Sequence, residues 1–191
     1  MADAARDIPR MSAAEYLQME KQATCKHEFV DGIVYAMAGA SRRHNRIAVD
    51  IVGGLNEKLP APCQAYALEV KVHNKGAGEE EYYYPDVVVT CSDLDSDDYL
   101  IRHPSLIVEV LSPTTENADR GYKFDDYRKL PSLQEYVLVH QERACVEIYR
   151  RRTNWEKEVY EPDTEITLES VGVSLPVAAF YKRVQFGDLA R

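Results

Sequence analysis

Several features are scarce or missing in this 191-residue sequence. No apolar run approaches the ~18 residues that a membrane-spanning helix needs, so no membrane partner is expected. The opening stretch, Met1 to Arg10, lacks the apolar core of a secretory signal. A cytoplasmic protein is therefore expected. The four cysteines, Cys25, Cys63, Cys91 and Cys145, form no C-x-x-C pair and are scattered. Zinc binding is disfavoured, and reduced, buried thiols are expected. Trp155 is the only tryptophan, which leaves little for a sugar-stacking platform and argues against a glycosidase. Repeats and low-complexity tracts are absent, so one domain over 1–191 is expected, with residues 1–11 a flexible lead-in. Basic excess is missing too. There are 23 Lys plus Arg against 32 Asp plus Glu, a net charge of −9. Nucleic-acid binders usually carry a basic footprint, so charge alone speaks against a DNA partner.

What is present is an ordinary globular composition, 45% hydrophobic and 29% charged. A chain this long buries ~70% of its unfolded surface and needs no disulfide or metal to fold. Ser12 with Glu15 three residues on is a capping-box signature and predicts a helix to about Glu20. Asp31-Gly32 between His27–Val30 and Ile33–Ala38 predicts a hairpin. Ile47, Ile51, Leu55 and Leu59 recur every fourth residue after Ser41 and predict a second helix, ended by Pro60 and Pro62. Three strands are expected next, over 64–73, 83–90 and 106–111, the last two apolar on both faces. A third helix is expected from Thr115 to Leu130 and a strand over Glu135–Val139. A meander over 145–149, 157–160 and 165–168 follows, then a short helix or turn from Pro176. The order helix, three strands, helix, strand predicts a mixed α/β (α+β) layer fold with helices over a central sheet.

Chemistry concentrates on a few acids. Glu109 stands inside the apolar run Leu106-Ile107-Val108-Glu109-Val110-Leu111. A lone carboxylate there must be neutralised, paired, bound to a cation or turned to solvent. Asp86, after Pro85 and before Val87-Val88-Val89, is a second acid at the mouth of an apolar strand. Two carboxylates on neighbouring strands can converge on a divalent cation. On the following helix, Asp119, Lys123 and Tyr127 recur at a spacing of four and share a face. A lysine there can reach a site built on Asp86 and Glu109.

The ordered set YYYPDVVVT, LIVEVLSPTT, D-x-x-x-K-x-x-x-Y and LPSLQEYVLV, with EFVDGIVYAMAGASRRHNRIA upstream and VEIYRR and GVSLPVAAFY downstream, resembles the Uma-type restriction-endonuclease-like family of the PD-(D/E)XK nuclease superfamily. The resemblance spans roughly residues 12 to 186. It implies a restriction-endonuclease-like core of helix, three-stranded meander, helix and strand. It also implies a DNA-cleaving enzyme, with Asp86, Glu109 and the Val110 carbonyl holding Mg²⁺ or Mn²⁺. The superfamily places its lysine two residues after the glutamate, but here that residue is Leu111. The resemblance assigns the role to Lys123 instead, with Asp119 and Tyr127 supporting it. A non-catalytic, nuclease-like binding or scaffold module is the alternative.

Glu28, His44 and Glu69 are further candidates, each readable as a site group or as a surface residue. Three basic clusters, Arg42/Arg43/Arg46, Arg150/Arg151/Arg152 and Lys182/Arg183, read as solubilising charge, yet are clustered enough to leave room for a positive face. Tyr82 to Tyr84 read as sheet packing or as base-stacking groups. The aspartates of the Ser92–Asp98 loop are expected to be solvated and to touch nothing. A twofold homodimer is the expected assembly.

Overall fold

The structure is a computed structural model that describes residues 10–75 and 80–186. Residues 1–9 of the expected lead-in lie outside the described residues. Arg10 and Met11 are not free of the fold, since the Met11 amide donates to the Gly32 carbonyl at 2.7 Å. Helix α1 (Ala13–Glu20) begins on the expected capping box, with Ser12 and Glu15 side chains each accepting from the other's backbone. Strands β1 (His27–Val30) and β2 (Ile33–Ala36) form the hairpin. Its turn residues Asp31 and Gly32 have φ of 57° and 78°, the left-handed pair that an Asp-Gly turn provides. Helix α2 (Arg42–Asn56) follows, capped by the Ser41 hydroxyl, which accepts from the His44 amide.

The middle of the chain differs from the sequence reading in one instructive way. The stretch 64–73 is two strands, β3 (Gln64–Ala67) and β4 (Lys71–Lys75), and 80–90 is two more, β5 (Glu80–Tyr83) and β6 (Val87–Thr90). The chain crosses between two sheets at Leu68–Val70 and again at Tyr84–Asp86. Leu68 has φ of 61°, and Pro85 cannot donate to a ladder, so neither break can continue a strand. Strands β7 (Leu100–Ile101) and β8 (Pro104–Leu111) come next. The expected third helix is then two, α3 (Glu116–Arg120) and α4 (Tyr122–Tyr127), broken at Gly121. A Cβ on Gly121 would stand 2.8 Å from the Asn117 carbonyl oxygen, so only glycine fits this joint. Gly121→Ala is expected to cost about 1–3 kcal/mol, the usual cost of overpacking, and to lower the thermal midpoint. An unshifted melting curve would show that the joint tolerates a side chain.

Strands β9 (Glu135–His140), β10 (Val146–Arg150) and β11 (Lys157–Tyr160) complete a six-stranded sheet of order β11-β10-β9-β8-β6-β3. The β8–β9 pair is parallel and the others antiparallel. The segment 165–168, expected in this meander, leaves it. As β12 (Glu165–Leu168) it pairs with β13 (Val173–Pro176) in a separate ribbon. A 3-10 helix over Val177–Tyr181 ends the described chain's ordered elements, matching the expected short helix. The second sheet has order β2-β1-β5-β4-β7. The run α2, β3, β6, β8, α3–α4, β9 is thus the anticipated helix, meander, helix, strand core, an α+β arrangement of mixed sheets and few helices.

The six-stranded sheet is covered on both faces. Ile47, Ala48, Ile51 and Leu55 of α2 pack with Val87, Val89, Leu106, Val108 and Val110 on one side. Tyr127, Leu130 and Leu133 pack with Val88, Ile107, Leu111 and Tyr136 on the other. Tyr82, Tyr83 and Tyr84 are all buried, which agrees with sheet packing. No described helix is long and apolar enough to cross a membrane.

Two further expectations are corrected. Cys63 and Cys91 form a disulfide, because the antiparallel register Gln64↔Thr90 sets the next two residues side by side. Cys145 is a buried free thiol, as anticipated, whereas Cys25 is exposed. Asp95 does not float in solvent. Its carboxylate is buried, accepting from the Thr90 hydroxyl at 2.7 Å and the Arg102 amide at 2.8 Å and lying 3.1 Å from the His103 ring. These bonds hold its pKa below the usual value against the opposing effect of burial.

Candidate active site

The second crossover, Tyr84-Pro85-Asp86, leaves the five-stranded sheet and enters the six-stranded one, and the candidate site forms there. The register Val87↔Val108 continues one step to place Asp86 beside Glu109. Two reciprocal bonds fix the pair. The Asp86 amide donates to Glu109 Oε2 at 3.1 Å, and the Val110 amide donates to Asp86 Oδ2 at 2.7 Å. Each carboxylate is therefore held by the backbone of the other's strand, and the two acids converge as anticipated.

Glu109 is buried on the face covered by α4. Its burial is answered by three contacts: Asp86 N, the Tyr127 hydroxyl at 3.4 Å, and the Lys123 ammonium at 3.7 Å. Lys123 Nζ also lies 2.8 Å from Glu28 Oε1 and 3.7 Å from Asp119 Oδ1. One buried ammonium thus faces three carboxylates. The break at Gly121 does not prevent this, because α3 and α4 together still carry Asp119, Lys123 and Tyr127 to the same side of the sheet. Glu28 arrives from β1 of the other sheet and also accepts the Tyr84 amide at 3.3 Å.

His44 approaches from the first turn of α2. Its Nε2 lies 3.1 Å from Asp86 Oδ2, while its buried Nδ1 has no hydrogen-bond partner among the described residues. Burial pushes the imidazole pKa down, but Asp86 and the Val110 carbonyl outweigh this and hold it above the ordinary value. Val110 therefore meets the site through both its amide and its carbonyl. Burial pushes the Asp119 pKa up to about 6 and that of Glu109 well above the ordinary value, each despite the opposing pull of Lys123. Lys123 is shifted upward: Glu109, Glu28 and Asp119 favour its charged form more than burial disfavours it.

Glu28, His44, Asp86, Glu109, Asp119 and Lys123 line a cavity of about 660 Å³. Glu69 is the candidate the structure leaves out. It lies in the first crossover, its side chain 78% exposed and paired with Lys26 at 2.8 Å. Two cavity-lining residues carried no sequence signal. Gln141 meets Ser41 across a hundred residues of chain, and Lys26 donates to the Leu68 carbonyl at the crossover.

The donor set is all-oxygen at Asp86, Glu109 and the Val110 carbonyl, which suits a hard divalent cation such as Mg²⁺. Among the described residues, no group of three or more His, Cys, Asp or Glu is arranged to hold a metal ion. A two-carboxylate site open to a cavity fits Mg²⁺ all the same, because that ion characteristically keeps several waters and uses only one or two carboxylates.

A family model described as "Uma2: Putative restriction endonuclease" matches residues 13–178. The chain belongs to the Uma2 family. Two curated relatives, both from Synechocystis sp. (strain ATCC 27184 / PCC 6803 / Kazusa), carry uncharacterized-protein names. Slr1290 is 35% identical over 183 residues, covering 94% of this chain and 95% of the relative. Sll1609 is 40% identical over 147 residues, covering 74% and 81%. The fold is similar to the crystal structure of a putative nuclease of the DUF820 family from Anabaena variabilis ATCC 29413. The TM-score is 0.70 at 18% identity, covering 88% of this chain and 96% of that one. Uma2 membership agrees with the resemblance drawn from the motifs around Asp86 and Glu109.

Proposed function

We propose that the protein is a metal-dependent endonuclease that hydrolyses phosphodiester bonds in DNA. The observation that carries this reading is the convergence of Asp86 and Glu109 at one strand-ladder end, with a buried lysine facing Glu109. A divalent cation on those two carboxylates would supply Lewis-acid polarisation of a phosphoryl oxygen and acidify a bound water. The chain's own groups do the rest. The Lys123 ammonium orients the attacking water and offsets negative charge as the phosphorus–oxygen bond breaks. Glu28 and Asp119 fix the lysine between them, and the Tyr127 hydroxyl holds Glu109. His44 holds Asp86 from the opposite side of the sheet.

A plasmid-nicking assay with Mg²⁺ or Mn²⁺ tests the reading. The wild type is expected to convert supercoiled plasmid to nicked and linear forms, and Lys123→Ala to leave it supercoiled. If the wild type cleaves no supercoiled, linear or single-stranded DNA with either cation, the enzymatic reading is lost.

A further inference from the structure

The three basic clusters of the sequence divide by use. Arg150 is buried and bound to Glu135 and Glu158, Arg151 donates to the Leu133 and Leu130 carbonyls, and Arg152 pairs with Glu169. That cluster is structural. Arg42, Arg46, Lys182 and Arg183 differ. All four are exposed, and among the described residues none of their side chains forms an ion pair or hydrogen bond.

The fold brings these far-separated cations together. Helix α2 packs on the 3-10 helix over Val177–Tyr181, and the Arg183 amide donates to the buried Asp50 carboxylate at 3.1 Å. Arg42, Arg43, Asn45, Arg46, Arg183 and Gln185 line a groove of about 480 Å³. Arg43 alone among these arginines is paired, with Glu142. The placement opposes local stability. A helix N-terminus favours acids by about 0.3–1 kcal/mol each and disfavours cations, yet the first turn of α2 holds arginines and no acid. In a chain with nine more acids than bases, a concentration of unpaired cations at that end is not what solubility requires.

The groove neighbours the candidate active site. Ser41 and His44, on the same helical turn, line the catalytic cavity, while Arg42 and Arg46 lie on the far side of a helix ~10 Å across. That width equals about three base-pair steps of 3.4 Å. The lining includes no aromatic side chain, whereas single-strand binders stack bases on aromatics. We propose that this groove docks the phosphodiester backbone of duplex DNA and holds phosphates that flank the scissile one. The inference rests on the nuclease reading and adds to it a substrate-positioning surface outside the catalytic cluster.

The test measures binding of duplex and single-stranded oligonucleotides by fluorescence anisotropy over a range of salt, in full-length Glu109→Gln protein. Adding Arg42→Gln, Arg46→Gln and Arg183→Gln is expected to weaken duplex binding at least tenfold. It should also reduce the slope of log K against log salt by about 2–3, three contacts at ~0.9 each. The melting temperature should stay the same or rise, because cations leave a helix N-terminus, so the loss is not unfolding. With Glu109 intact, the triple variant should raise KM for cleavage and leave kcat unchanged. Unaltered duplex affinity and slope would overturn the groove, as would a loss confined to single strands. Cleavage by the wild type with KM unmoved by the triple substitution would remove the groove but keep the nuclease. Groove-dependent binding without any cleavage would keep the groove but remove the nuclease.

Discussion

Glu109→Gln is expected to abolish metal-dependent cleavage while leaving the fold as stable as before, or more so. Glu109 is 3% exposed, and burial disfavours its ionised form enough to raise its pKa well above the ordinary value. A glutamine of similar volume removes that burden. Its amide oxygen can take the place of Oε2 and accept from the Asp86 amide, its NH2 can donate to the Tyr127 hydroxyl oxygen, and Lys123 keeps Glu28 and Asp119 as partners. Stability thus has little reason to fall. Activity has strong reason to. Losing several kcal/mol of metal-borne charge stabilisation corresponds to about a thousandfold or more in rate. Asp86→Asn should behave alike in cleavage. Calorimetric titration with Mn²⁺ checks the cause, since both variants should bind far more weakly than the wild type. If both keep wild-type Mn²⁺ affinity, these acids do not form the metal site. An activity loss accompanied by a large drop in melting temperature would instead make Glu109 a structural residue.

Local signals were legible because they arise within a few residues. The Ser12 capping box, the Asp31-Gly32 turn and the four-residue apolar rhythm of α2 each state their geometry in adjacent chain, and each element formed where expected. The convergence of Asp86 and Glu109 was legible for a related reason: acids at such apolar strands demand an explanation. Features that depend on the pairing of sheets were not legible. Pro85 signals a break after Tyr84, but nothing there states that β5 and β6 belong to different sheets, and a single strand was expected over 83–90. Glu28 was named as a candidate, but its pairing with Lys123 was not legible, because it arrives from the other sheet across a long stretch of sequence. The Cys63–Cys91 bond and the anchoring of Asp95 likewise follow from strand register and loop closure, which composition does not carry. Gly121 could have been flagged as a helix interruption, but its joint still presents Asp119 and Lys123 to the same site. Net charge is uninformative about local surfaces for a different reason. An average over 191 residues hides where the cations collect.

Lys123→Met is expected to destabilise the protein by about 3–5 kcal/mol, the usual cost of stripping one partner from a buried ion pair. For a chain of this size each kcal/mol moves the melting temperature by about 2–4 °C, so a fall of roughly 6–20 °C should be measured by calorimetry. Methionine keeps the apolar stem, and the lost quantity is the charge that faces Glu28, Glu109 and Asp119. The pH dependence follows from the same groups. A carboxylate whose folded pKa lies above its unfolded value favours folding below the unfolded value, and that contribution disappears as pH rises through the folded one. Asp119, at about 6 against an ordinary 3.8, already has that sign with Lys123 present, and Glu109 is displaced in the same direction. Removing the ammonium raises both further, so the variant should be most stable near pH 4 and lose stability steadily toward pH 7. Combining Lys123→Met with Glu109→Gln should recover part of the loss at neutral pH, because one of the three crowded carboxylates is gone. A coupling of about 0.5–3 kcal/mol in that double-mutant cycle is the expected reading for groups in contact. Strict additivity of the two substitutions, or a Lys123→Met variant as stable as the wild type at pH 7, would show that the ammonium does not hold this cluster together.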